Sequence, residues 1–138
     1  MSIEKRYEIS FLFRKILVPV DGSENSLRAL DIALDFAKRY GSKIYCVHAK
    51  TERESDEAIR EAVLNRSRGK NVEIVYETIT YDPRESSVAN EILRYAIEKS
   101  VDAIIVSSRG RTLSEDINIG STALSIVINS PVSVLVVR

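Results

Sequence analysis

Short β-branched runs alternate with amphipathic stretches along this sequence, and no other feature constrains its fold as tightly. Residues 15–20 (KILVPV) form the first such run, and Asp21-Gly22 ends it. In residues 25–40, Leu27, Leu30, Ala33, Leu34 and Ala37 fall three or four apart, which puts them on one face of a helix. Ser23 suits the N-cap, and Gly41 stands where a left-handed residue closes a helix. Residues 43–49 (KIYCVHA) read as a second strand, and residues 57–68 as a helix with Ala58, Ala62 and Leu64 inward. Residues 72–79 (VEIVYETI) alternate apolar and polar, the pattern of a strand with one open face or an edge position. After a loop closed by Pro83, residues 87–100 form a helix with Val88, Ile92, Leu93, Ala96 and Ile97 on one side. Residues 103–106 (AIIV) are wholly apolar, as suits a strand covered by helices on both faces. A helix over 120–129 and a strand over 132–137 (VSVLVV) follow.

Strands alternating with helices of this length predict βαβ units, hence an α/β fold with a parallel, doubly wound sheet and right-handed crossovers. The first strand is expected at its centre. Such sheets bind ligands outside the carboxyl ends of their strands, where the strand order reverses. The loops after Val20, Ala49 and Val106 are therefore where chemistry is expected.

A chain of 138 residues fits one domain that needs no disulfide or structural metal. Its 20 Lys and Arg balance 20 Asp and Glu. That argues against an electrostatic nucleic-acid binder, which needs a clustered basic face; Arg109, Arg111 and Lys70 form no run. The single cysteine, Cys46, lies in an apolar run and reads as a small buried hydrophobe. No apolar stretch approaches the ~20 residues that span a bilayer. Residues 1–13 are too short and too charged for a signal peptide, so a cytoplasmic location without membrane contact is expected.

The most informative segment is 106–122, VSSRGRTLSEDINIGST. A strand ends, Gly110 falls in a loop, and nine residues later Gly120-Ser121 opens a helix. The first amides of a helix lack intrahelical partners, and the helix dipole adds positive charge there. A glycine lets a ligand approach the backbone, and the Ser121 hydroxyl can donate, so an anion site for phosphate is one reading. The other is a tight turn with a local cap.

Three segments resemble the universal stress protein family: residues 15–49 (KILVPVDGSENSLRALDIALDFAKRYGSKIYCVHA), residues 100–111 (SVDAIIVSSRGR) and residues 118–138 (NIGSTALSIVINSPVSVLVVR). The resemblance covers residues 14–138 and leaves 1–13 as an N-terminal extension. In that extension Tyr7, Ile9, Phe11 and Phe13 alternate, as an added strand or a covered surface would require. The resemblance implies a five-stranded sheet ordered 3-2-1-4-5 and a homodimer through antiparallel pairing of the two last strands. It also implies ATP, accompanied by Mg2+. ATP-binding members carry a glycine, two residues, a glycine, nine residues, then glycine and Ser or Thr. Here the pattern runs from Ser107 through Gly110 to Gly120, Ser121 and Thr122, with serine in place of the first glycine. A glycine of positive φ would be costly to replace there. By matching positions, backbone groups of Ala49 and Val106 would hold adenine, with Pro19 beside them and the Asp21 carboxylate facing the adenosine or an ion. The stretch 50–71 is short for the family, which implies a reduced lid.

Features of an enzyme are few. Gly69-Lys70 lacks the rest of a phosphate-binding P-loop sequence, and there is one histidine. His48 shows no partner acid in sequence and reads as strand-end packing. Glu52, Glu54, Asp56 and Glu57 open a helix and read as a solvated acidic face. The expected function is thus a dimeric ATP-binding regulator. A nucleotide-free interaction module of the same fold is the alternative, and a slow ATPase is the least favoured reading.

Overall fold

The computed structural model describes residues 13–109 and 119–138. Five strands alternate with four helices: β1 (Lys15–Pro19), α1 (Glu24–Tyr40), β2 (Lys43–Lys50), α2 (Glu57–Ser67), β3 (Glu73–Thr80), α3 (Val88–Glu98), β4 (Ala103–Ser107), α4 (Ser121–Asn129) and β5 (Ser133–Val137). The strands form one parallel sheet, as the alternating pattern predicts, ordered β3-β2-β1-β4-β5, as the family resemblance implies. β1 is central, with Lys15 beside Lys43 on β2 and Ile16 beside Ala103 on β4. β3 is at an edge, which explains its alternating sequence. The order reverses between β1 and β4, and that is where a cleft must open.

Burial on both faces drives this arrangement. On one face Ile16, Val18, Ile44 and Cys46 pack beneath Leu30, Ala33, Leu34 and Ala37 of α1 and Val63 of α2. On the other, Leu17, Tyr45, Val47, Ile104 and Val106 meet Ile92, Tyr95 and Ala96 of α3 and Ala123 and Ile126 of α4. Cys46 is a free thiol with no exposed surface, and burial pushes its ionisation far upward, as for an inert core residue. Helix α1 begins at Ser23, whose hydroxyl accepts from the Ser26 amide. It ends at Gly41, left-handed at φ 70°, whose amide returns to Ala37 O. Phe13 stacks on Phe36 and Tyr40 at ring separations of 5.5 and 5.7 Å, while Tyr7, Ile9 and Phe11 lie outside the described residues.

Two helical faces differ from the sequence expectation. In α2 the inward residues are Val63, Ile59 and Ala62; Ala58 and Leu64 are exposed. The helix offers two overlapping stripes, and burying β-branched Ile59 and Val63 removes more apolar area than burying Ala58. In α3 Tyr95 and Ala89 are buried, whereas Ile97 is 66% exposed. Tyr95 takes the inward position because its hydroxyl reaches Glu77 Oε1 at 2.9 Å while its ring packs on Tyr45. Among the described residues no helix is long and apolar enough to cross a membrane.

Candidate functional site

A cavity of about 320 Å³ opens at the carboxyl ends of the strands. Its floor is Pro19, Val20 and Asp21 after β1 and Ala49 near the end of β2. One wall is Val106, Ser107 and Ser108 from β4 with Gly120, Ser121, Thr122 and Ala123 at the start of α4. Glu54 from the β2–α2 loop, Tyr81 after β3, Val88 at the start of α3 and Ser26 of α1 complete the lining. Eight positions singled out in the sequence (Pro19, Asp21, Ala49, Val106, Ser107, Gly120, Ser121 and Thr122) therefore meet in one cleft. Gly110 lies outside the described residues. The sequence did not point to Glu54, Tyr81, Val88 or Ser108. A usable signal existed for Glu54 and Tyr81, since each closely follows the carboxyl end of a strand.

The start of α4, like that of α2, lacks the side-chain cap that α1 and α3 carry. α1 and α3 carry serine caps, Ser23 and Ser87, whose hydroxyls accept from the Ser26 and Asn90 amides. α4 has Gly120 at its N-cap, and no side chain caps it. Its first helical bond runs from Leu124 N to Gly120 O, so the amides of Ser121, Thr122 and Ala123 precede the helical ladder. Those three residues line the cavity. Gly120 is held by its own amide, which donates to Ser108 O. A Cβ at Gly120 would lie 3.3 Å from that carbonyl, so close approach, and not unusual φ, is what calls for glycine.

Ser107 is the last residue of β4, opposite Val137, and its hydroxyl donates to Arg109 O at 2.8 Å. The non-glycine residues with positive φ among those described are Asn71 and Ser100. Serine at 107 therefore carries none of the backbone strain expected for replacing a left-handed glycine. Asp21 has a structural task as well as a place on the floor. Its Oδ1 accepts from Ser23 N at 2.9 Å, and its own amide donates to the buried Ser26 hydroxyl at 3.3 Å. Gly22, next to it, has φ +86°, and a Cβ there would sit 2.9 Å from Ile59.

His48 is buried in β2 and packs as expected, but it does have a partner acid. Its Nδ1 lies 2.9 Å from Asp56 Oδ1. The Tyr76 hydroxyl donates to the same oxygen at 2.6 Å, and Arg60 donates to Oδ2 at 3.2 Å while lying over the Tyr76 ring. Burial works to raise the Asp56 pKa, yet the hydrogen bonds from Tyr76 and His48 overcome it and hold the carboxyl far below its ordinary value. The acidic run is thus not one solvated face. Glu52 and Glu57 are exposed, Asp56 anchors the β2–α2 loop to the sheet, and Glu54 turns to the cavity. A carboxylate eight residues along the chain gives no periodic signal that it will fold back onto a strand histidine.

The electrostatics of the cleft are divided. Hydroxyls and helix amides line the β4–α4 wall, and carboxylates stand at Asp21 and Glu54. Burial, then the charges of Glu54 and Glu91, raise the ionisation of Tyr81, so its hydroxyl stays protonated.

Comparison with known proteins agrees with this architecture. Residues 12–138 match the model of the universal stress protein family. The universal stress protein MJ0531 of Methanocaldococcus jannaschii is 29% identical, over 92% of this chain and 83% of its own length. A universal stress protein solved in complex with cAMP superposes with a TM-score of 0.75 at 23% identity, covering 91% of this chain and 97% of that one. The universal stress protein of Archaeoglobus fulgidus in complex with dAMP gives 0.69 at 23% identity, covering 93% and 100%. With the family match spanning every described residue and the sheet in the doubly wound order, this chain belongs to the universal stress protein family.

Proposed function

We propose that this protein is a cytoplasmic, homodimeric regulator that binds ATP in the cleft between β1 and β4. The observation that carries the reading is the uncapped start of α4 opening onto a cavity at the sheet's reversal point. Phosphates would lie against Ser107, Ser108 and the amides of Ser121 and Thr122. The adenosine would lie over Pro19, Asp21, Ala49 and Val106. About 320 Å³ is at the small end of ordinary ligand pockets. Relatives of the same fold have been solved with cAMP and dAMP, which supports an adenine nucleotide as ligand class. Among the described residues no group of three or more His, Cys, Asp or Glu could hold a metal ion. Mg2+ belongs to this proposal as the counterion of the triphosphate.

The dimer reading rests on β5. It is the outer strand of the sheet, and Leu135 on it, like Val127 and Ile128 on nearby α4, is an exposed large hydrophobe. An open, apolar edge invites pairing with a second copy. The alternative, a nucleotide-free interaction module, draws on Ser107, whose side chain stands in the phosphate wall where ATP-binding relatives have glycine. Denaturing the purified protein and identifying the released small molecules by chromatography and mass spectrometry separates the two. An adenine nucleotide near one per chain supports the first reading. No retained nucleotide, together with no binding on adding ATP, supports the second.

A further inference from the structure

Helix α4 belongs to two surfaces at once. Its first residues, Ser121, Thr122 and Ala123, line the cavity, and no side chain caps their amides. Further along, Leu124, Val127 and Ile128 are exposed. They fall three and four apart, so they share the face turned away from the core. That face is also without charge. No Asp, Glu, Lys or Arg occurs from residue 119 to residue 137, through α4 and β5, although 29% of the chain is charged. A contiguous apolar patch of this kind marks an interaction surface.

The patch fits a second copy of this chain. Antiparallel pairing of two β5 strands requires a two-fold axis perpendicular to the sheet, which leaves both α4 helices on the same face of the extended sheet. Around such an axis equivalent residues meet, so a charge would face its own copy, whereas Leu124, Val127 and Ile128 can pack on theirs. Within its own chain α4 is held by few side chains: of its nine residues only Ala123 and Ile126 are buried. Segments with so little buried surface lie at the low end of local stability. The helix is only about two and a half turns long, so whatever orders its start also orders its outer face. A second binding event that needs the same order then loses less entropy.

We propose that α4 couples the nucleotide site to dimerisation: phosphates on its first turn and a second copy on its outer face each strengthen the other's binding. This rests on the ATP and dimer readings above and adds the link between them. Coupling between sites is typically about fivefold or more. A dimer holds two sites, so saturating ATP tightens dimerisation by the square of the per-site factor, about twenty-five-fold or more.

Sedimentation equilibrium of the full chain over a dilution series tests this, giving the dimer dissociation constant without ligand, with saturating ATP and with saturating adenosine, which carries no phosphate. ATP should lower the constant about twenty-five-fold or more, and adenosine should leave it unchanged. Val127→Asp should be monomeric where the wild type is dimeric, and calorimetry should show it binding ATP about fivefold or more weakly. Leu64→Asp, at an exposed position on α2, should stay dimeric. If Val127→Asp proves unfolded by circular dichroism, ATP titrations of the wild type below and above its dimer constant compare monomer and dimer directly. ATP binding that leaves the dimer constant unmoved, or raises it, overturns the inference while both parent readings stand. Adenosine tightening the dimer as strongly as ATP overturns it too, as does a Val127→Asp dimer of unchanged affinity. A chain that binds ATP yet stays monomeric with and without it removes the dimer reading and this inference with it. A chain that dimerises yet binds no ATP removes the nucleotide reading and the inference likewise.

Discussion

Replacing Asp56 by alanine should cost this protein about 3 kcal/mol of stability, although the residue precedes a helix in an apparently acidic surface run. The carboxylate accepts from His48 at 2.9 Å, Tyr76 at 2.6 Å and Arg60 at 3.2 Å. The Arg60 side chain is about half exposed, so that pair contributes only some 0.3–0.5 kcal/mol. Tyr76 is partly exposed, and water can replace much of its bond, which leaves about 0.5 kcal/mol. His48 has only 1% of its side chain exposed, so its orphaned Nδ1 brings a desolvation penalty of about 1–3 kcal/mol. Together these give about 2–4 kcal/mol. Urea unfolding followed by circular dichroism, at matched protein concentration, measures it, with Glu52→Ala as an exposed control near zero. A loss under about 0.5 kcal/mol would refute the claim that Asp56 ties the loop to the sheet. The pH dependence has a fixed sign. The folded-state pKa is depressed, so the stabilisation is complete above the unfolded value near 3.9 and is lost as pH falls below it. Asp56→Asn should flatten that acid limb.

Two other changes test the interface and the phosphate wall. Val137 O accepts from Ser108 N on the β4 side, so by strand alternation the Val134 amide faces the open edge. Val134→Pro should therefore convert the proposed dimer to monomer in light scattering while leaving the β4–β5 ladder intact; an unchanged dimer mass would place the interface elsewhere. Ser107→Gly should leave ATP affinity equal or raised, because it removes a side chain from the proposed phosphate wall and relieves no strain. A loss of affinity in calorimetry would mean the hydroxyl itself contacts the ligand.

The parallel sheet was legible because compact apolar strands alternate with amphipathic helices, whereas the strand order came from the resemblance to the family and not from any local pattern. The residues that gather in the cleft, such as Pro19 after KILV and Gly120 before a helix, are marked by local chain chemistry. The rest of the cleft lining was not legible. Glu54 and Asp56 sit two apart in one acidic run, yet one faces the cavity and the other folds back to His48 and Tyr76. Their separation is decided by long-range packing of the loop, which leaves no periodicity in the sequence. On α2 and α3 the expected inward residues Ala62, Val88, Ile92, Leu93 and Ala96 do face the core, while Ala58, Leu64 and Ile97 turn outward. Tyr95 is buried because Glu77, on a different element, takes its hydroxyl.

The central claim, that the start of α4 holds the phosphates of ATP, is tested most directly by calorimetric titration of ATP into the wild type and Gly120→Val. In the variant a branched side chain would press on Ser108 O, 3.3 Å from the Cβ position, and crowd the open amides of α4. The account predicts saturable binding near one ATP per wild-type chain and none by a variant that remains folded. Equal binding by both proteins, or none by the wild type at millimolar ATP, would contradict it.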